Sequence, residues 1–323
     1  MRWLTFGAWV ALTACASGAA NNPADGPPLP DGRGPADSMV GGDTLPPDGG
    51  PDASSDAPTH DASVDAMTPP ARHLMLSEIV VTPTSAEYVE IFNPNPTAVD
   101  LTNYYVSDRT DYYLIVTGSI DVSLARASDF VARFPAGAVI GPGQYQTISL
   151  HMASDFNTVY ALNPTYEMVP SSPAVPDMVA ALPNSIGGSA SFTDNGEPVI
   201  LFYWDQSSDL VRDVDYLLYG VNTGADGAID KTGVSVDGPD PGTTGTLFAA
   251  DTPAAMQVQL PKHNLNGSLV RCDFAETGER MTGGNGIGGH DETSEPFPTT
   301  WRINLATATL RTPGAGPAAG FCP

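Results

Sequence analysis

The chain has 323 residues, 13 of them Lys or Arg and 37 Asp or Glu, for a formal charge of −24. Its basic residues stand singly, so no cationic stripe exists to neutralise phosphates, which argues against nucleic acid as a partner. The same balance repels an anionic bilayer surface and favours cations or basic proteins.

Met1-Arg2-Trp3 gives a short basic start, and Leu4 to Leu12 is largely apolar but too short to cross a bilayer core about 30 Å thick. Residues 1–14 therefore read as a signal peptide. Leu12-Thr13-Ala14-Cys15 resembles the lipobox of bacterial lipoproteins, where the cysteine thiol carries a diacylglycerol. The resemblance implies lipidation at Cys15 and a lipid-anchored protein of the cell envelope. Ala16, in place of an aspartate, resembles the pattern of lipoproteins sent to the outer membrane. The alternative is an ordinary secretory signal cut near Ala14-Cys15-Ala16-Ser17. The two differ in anchoring, because at about 0.8 kcal/mol per buried methylene two or three acyl chains hold a protein permanently and one does not.

Residues 15–72 form a linker of Pro, Asp, Gly, Ala and Ser with almost no aromatic or β-branched residue. Such a segment cannot bury enough apolar surface to offset chain entropy, so it is expected to be disordered. Asp25, Asp31, Asp37, Asp43, Asp48, Asp52, Asp56, Asp61 and Asp65 are opposed only by Arg33 and Arg72, so the arm repels itself. It would span on the order of 40 Å as a coil and roughly 175 Å fully extended, which makes it a spacer.

From Leu74 the texture changes to short apolar or alternating runs punctuated by Pro, Gly, Asn and Asp. Leu74–Val81 and Glu87–Phe92 read as strands around Thr82-Pro83-Thr84, with Tyr88 alternating against Glu87 and Glu90. Further strands are predicted at Asp100–Val106, Tyr112–Val116, Tyr145–Leu150, Val199–Trp204, Leu210–Leu218 and Ser268–Phe274. Long helices are excluded by Pro and Gly in nearly every window. Short ones are predicted at Ser123–Ala132 and Ser154–Ala161, each opening on a capping residue.

Four stretches then resemble the lamin tail domain, an immunoglobulin-like β-sandwich. They are Leu76-Ser77-Glu78-Ile79 with Glu87-Tyr88-Val89-Glu90-Ile91-Phe92-Asn93-Pro94; Val99 to Asp108; Ile140-Gly141-Pro142-Gly143-Gln144-Tyr145; and Gly267-Ser268-Leu269-Val270-Arg271 with Thr312-Pro313-Gly314. The resemblance implies an all-β, lamin-tail-like sandwich over residues 73–323. The residues that carry it are fold-making in type: strand turns, a chain-reversing Pro-Gly and inward apolar positions. The domain is longer than is usual for the family, and Gly118–Ala138 and Met152–Asn195 read as insertions.

Cys15, Cys272 and Cys322 are the only cysteines. With Cys15 taken by lipid, an even pair remains, so a Cys272–Cys322 disulfide is expected, clipping the C-terminal tail to the domain; two separate thiols are the alternative. Chemistry-bearing residues concentrate in Gly283 to Glu295, where a glycine loop delivers His290, Asp291, Glu292 and Glu295 in one short segment. No cofactor is expected. Were the loop to hold an ion, its three carboxylates beside one imidazole would favour calcium over zinc; the opposing reading is an exposed, glycine-rich loop. A second loop, Asn222 to Asp230, matches a calcium loop at Asn222, Asp226 and Gly227, but Gly224 and Gly233 stand at ligand positions. With Asp237-Gly238-Pro239-Asp240 it reads better as an acidic hairpin end. No phosphate loop or nucleophile elbow accompanies His60, His73, His151, His263 or His290.

The reading is thus a non-enzymatic binding or scaffold module, lipid-anchored in the envelope, whose loops or edge strands meet protein or glycan. The alternative is a metal-dependent envelope enzyme or calcium-binding module built on Gly283–Glu295.

Overall fold

A computed structural model describes residues 73–120, 128–220, 227–305 and 312–323. The expected signal peptide, Cys15 and the linker lie outside these residues, as do Asn222 to Asp226 and the first half of the helix expected at Ser123–Ala132. In chain order the strands are β1 (Met75–Val80), β2 (Tyr88–Phe92), β3 (Val99–Asp100), β4 (Tyr104–Ser107), β5 (Val131–Arg133), β6 (Val139–Ile140), β7 (Tyr145–Ser149), β8 (Tyr166–Glu167), β9 (Val179–Ala180), β10 (Pro198–Tyr203), β11 (Arg212–Leu218), β12 (Ser235–Val236), β13 (Thr246–Leu247), β14 (Ser268–Arg271) and β15 (Trp301–Asn304). Two sheets dominate. One runs β15-β14-β1-β2-β7-β8 and the other β11-β10-β4-β5-β9. Their pairs are antiparallel except β7 with β8. Among the described residues no helix is long and apolar enough to cross a membrane.

Alternation explains the layers. Leu76, Ile79, Val89, Ile91, Ile148 and Leu269 of the first sheet join Val106, Leu201, Phe202, Val214 and Tyr216 of the second in one buried apolar core, the interior of an immunoglobulin-like sandwich. Tyr88 and Glu90 share the opposite face, as residues two apart on a strand must, so Tyr88 does not alternate against Glu90. Tyr88 packs with Val80 and Phe156 under helix α1 (Ala153–Tyr160). Glu90 takes a hydrogen bond from Ser77 Oγ at 2.7 Å and another from the Gly314 amide, so the C-terminal tail covers this face. The helix begins one residue earlier than expected. Its cap comes from β8, where Glu167 Oε2 accepts the Ala153 amide at 2.6 Å.

Three expectations are corrected. Tyr112–Thr117 forms a 3₁₀ helix closed by Gly118 at φ 67°, not a strand; Tyr112 is buried with its hydroxyl on Asp213, a tertiary contact that overrides the β-propensity of the run. Val131 and Ala132, expected at the end of a helix, lie in β5. The two apparent insertions also belong to the sandwich. Gly118–Ala138 supplies β5, and Met152–Asn195 supplies α1, β8 and β9, so the extra length widens both sheets.

The register of β1 against β2 slips between Leu76 and Glu78. A bulge of this kind takes backbone groups out of the ladder, and buried ones need other partners. Leu76 finds them in side chains. Its amide donates to Asp215 Oδ2 on β11 at 2.6 Å, and its carbonyl accepts from Arg271 Nε on β14 at 2.8 Å. One charged pair therefore ties three strands and both sheets together.

Candidate functional site

Around that tie lies a dense group of buried ionisable side chains. Arg271 stacks 4.9 Å from the Trp301 ring, contacts both Asp215 oxygens at 2.6 Å, and reaches Glu295 Oε1 at 3.0 Å and Oε2 at 3.1 Å. Burial by itself pulls the guanidinium pKa down, but Asp215, Glu295 and Glu276 outweigh it and raise it, so Arg271 stays charged. Trp301 Nε1 also donates to Glu295 Oε1 at 3.1 Å.

Beside this satisfied pair lies an unsatisfied one. Glu292 is 1 % exposed, and neither of its oxygens has a hydrogen-bond partner. Both oxygens of Glu279 are in the same condition, as is Nδ1 of His290. His290 Nδ1 stands 3.9 Å from Glu279 Oε2, beyond hydrogen-bond reach. The His290 ring meets the His73 ring edge-on at 5.2 Å, and His73 Nε2 lies 2.9 Å from Glu276 Oε1. Donor atoms of His73, His290 and Glu292 lie within 4.8 Å of one another, as do those of Glu276, Glu279 and His290. Desolvation, with Glu279, Asp215 and Glu276 adding to it, drives the Glu292 pKa well above the carboxylate range. Glu279 is pushed up to about 10, by burial first and then by Glu276 and Glu295. The His290 pKa is lowered, by burial first and then by His73. Asp215, Glu295, Glu276 and Glu279 thus all act on one guanidinium, while burial holds Glu279 and Glu292 toward their protonated forms.

The loop delivers these side chains because its glycines let it fold tightly. A Cβ on Gly284 would sit 2.2 Å from the His290 carbonyl, so only glycine allows that approach, while Gly288 and Gly289 adopt φ of 75° and 87°. The Gly286 amide donates to the His290 carbonyl at 2.8 Å, and the Asp213 amide on β11 donates to the Asn285 carbonyl at 3.1 Å, so the loop is anchored to the sheet. It is not the exposed segment that its composition suggests, since Asp291, Glu292, Thr293 and Glu295 are all buried.

The four residues singled out in the sequence are divided by this geometry. His290 and Glu292 face the shared pocket. Asp291 turns away to Arg280 Nη2 at 2.5 Å, to the Thr252 hydroxyl at 2.7 Å and to the Thr293 hydroxyl at 2.6 Å. Glu295 is consumed by Arg271 and Trp301. The expected Asp291, Glu292, Glu295 calcium set is therefore not brought together. His73, Glu276 and Glu279, which sequence reasoning missed, stand in the pocket with His290 and Glu292; His73 and Glu276 are 203 residues apart, and no local spacing announces them.

Other charged groups serve packing. Lys231 is fully buried between Asp213 Oδ2 at 2.9 Å and Asp251 Oδ2 at 3.0 Å. Asp209 accepts the Gly238 amide at 2.9 Å and the Thr246 hydroxyl at 2.6 Å beside the β12–β13 hairpin, in keeping with an acidic hairpin end around Asp237 to Asp240. The expected disulfide is present: Cys272 directly follows β14 and pairs with Cys322, with Cα atoms 5.4 Å apart.

No curated protein matches the chain. Among solved structures, the crystal structure of a DUF4876 family protein from Bacteroides thetaiotaomicron VPI-5482 is similar, at 13% identity over 77% of this chain and 75% of that one, with a TM-score of 0.40. Residues 68–212 match the family model described as Lamin Tail Domain.

Proposed function

We propose that this chain is a lipid-anchored protein of the bacterial cell envelope, held at the outer membrane through Cys15, in which the lamin tail domain is a non-catalytic binding or scaffold module for envelope protein or glycan. The observation that carries this reading is the Cys272–Cys322 pair, because paired thiols belong to oxidising compartments outside the cytosol. It leaves Cys15, inside Leu12-Thr13-Ala14-Cys15, as the odd cysteine to carry lipid. The acidic arm over 15–72 would then hold the domain clear of the headgroups. A structural role suits the buried charges, since Arg271 and Lys231 are each committed to two carboxylates that brace neighbouring strands.

Expression of the wild type and of Cys15→Ala in a Gram-negative host, followed by detergent-phase partition and envelope cross-linking, tests the reading. The wild type is expected in the detergent phase, cross-linked to an envelope component, and the variant in the aqueous phase. Recovery of both as freely soluble would refute the anchor.

A further inference from the structure

Glu292 poses a problem of charge and solvation. A carboxyl group that is 1 % exposed and without a hydrogen-bond partner forfeits its solvation with no return, a cost that native folds avoid unless something occupies the space. Glu279 and the Nδ1 of His290 repeat that condition in the same pocket, on side chains 0 % and 12 % exposed. His290 and Glu292 bring donor atoms within 4.8 Å of each other and of His73, so one cation would satisfy both, with Glu279 beside them.

The donor chemistry selects its class. Calcium takes six to eight oxygens, whereas two imidazoles with a carboxylate suit zinc and neighbouring first-row ions. Donor atoms each about 2 Å from one ion can lie up to about 4 Å apart. Those of His73, His290 and Glu292 lie within 4.8 Å, so contraction by less than an ångström brings them to bonding distance. Glu276 on His73 Nε2 at 2.9 Å reproduces the carboxylate-to-histidine contact that orients ligands in metal centres. Glu279, 3.9 Å from His290 Nδ1, stands where a further oxygen donor or a partner for that ring is needed.

We propose that His73, His290 and Glu292 bind one divalent transition-metal ion of zinc's class, with Glu276 and Glu279 as supporting carboxylates. The ion fastens the first residue of the domain, next to the acidic arm, to the loop before β15. The partly exposed His290 edge is its way in.

The test uses the whole purified chain, stripped with chelator, titrated calorimetrically with zinc chloride and separately with calcium chloride, with melting curves on both. One equivalent of zinc with a Kd of micromolar or below, a rise in Tm, and no calcium heat are expected. Glu292→Gln keeps the shape and removes the ionisable carboxyl, so the metal-free variant should melt at or above the wild-type temperature yet lose at least tenfold in zinc affinity. His290→Ala, on the more open side, should lose the same. Absence of zinc heat and of a Tm shift, equal zinc binding by both variants, or calcium binding in preference to zinc would each overturn the proposal.

Discussion

Replacing Arg271 with Met probes the tie between the sheets. The methionine stem still fills space beside Trp301, but Asp215 and Glu295 lose a shared guanidinium with contacts of 2.6 to 3.1 Å, and the Leu76 carbonyl loses its 2.8 Å donor. Breaking a fully buried pair from one side costs about 3–5 kcal/mol, because an uncompensated charge stays behind. That is a large part of the roughly 5–15 kcal/mol that holds a domain together. The cost should depend on pH. Arg271 is the main influence opposing the raised pKa values of Asp215 and Glu295, so without it both rise further. A carboxyl whose folded pKa lies above its unfolded one favours the fold at low pH and loses that contribution as pH rises. The deficit of Arg271→Met should therefore be smaller at pH 5 than at pH 8 in urea unfolding, and adding Asp215→Asn with Glu295→Gln should recover more than half of it. A cost below about 1 kcal/mol, one equal at both pH values, or no recovery would refute the account.

The metal-free wild type has a related pH dependence. Burial is the first cause that raises Glu90 and Glu197 to about 8 and Glu279 to about 10, so the folded chain keeps protons that the unfolded chain releases near 4.5. Stability in chelator should fall between pH 5 and pH 8, by about 1.4 kcal/mol per pH unit for each proton retained; a flat or rising profile in denaturant titrations would contradict it. Replacing Cys272 and Cys322 together with Ser reopens a loop of sequence separation 50, which chain entropy values at about 4 kcal/mol. A shift in urea midpoint worth less than about 1 kcal/mol would show that the tail is held by its other contacts, such as the Thr312 amide on Glu78.

The strands were legible wherever one face is apolar and the other is not. β2, β7, β10 and β11 fall within two residues of the alternating runs that predicted them. Tyr112–Val116 was not, because a short run of aromatic and branched residues carries no period that separates a strand from a tight helix, and a buried hydroxyl on Asp213 decided the matter. In the candidate centre, His290 and Glu292 could be found from their glycine loop. Their separation from Asp291 and Glu295 depends on which way each side chain leaves a 3₁₀ turn at Glu292–Ser294. Arg271 hid the destination of Glu295, since arginine is seldom fully buried. His73, read only as an isolated histidine at the edge of the linker, gains meaning through long-range pairing of β1 with β14.

The disulfide and the His73 contact together fix where the chain enters and leaves. Cys322, one residue from the terminus, is bonded to Cys272, and His73 touches Glu276, four positions further on; the stretch between these attachment points spans at most about 14 Å. A reporter or second module appended after Pro323 would therefore emerge on the same side of the sandwich as His73. Joining the two ends through a short loop, with new ends opened at an outlying turn, should be tolerated as a circular permutation of this sandwich.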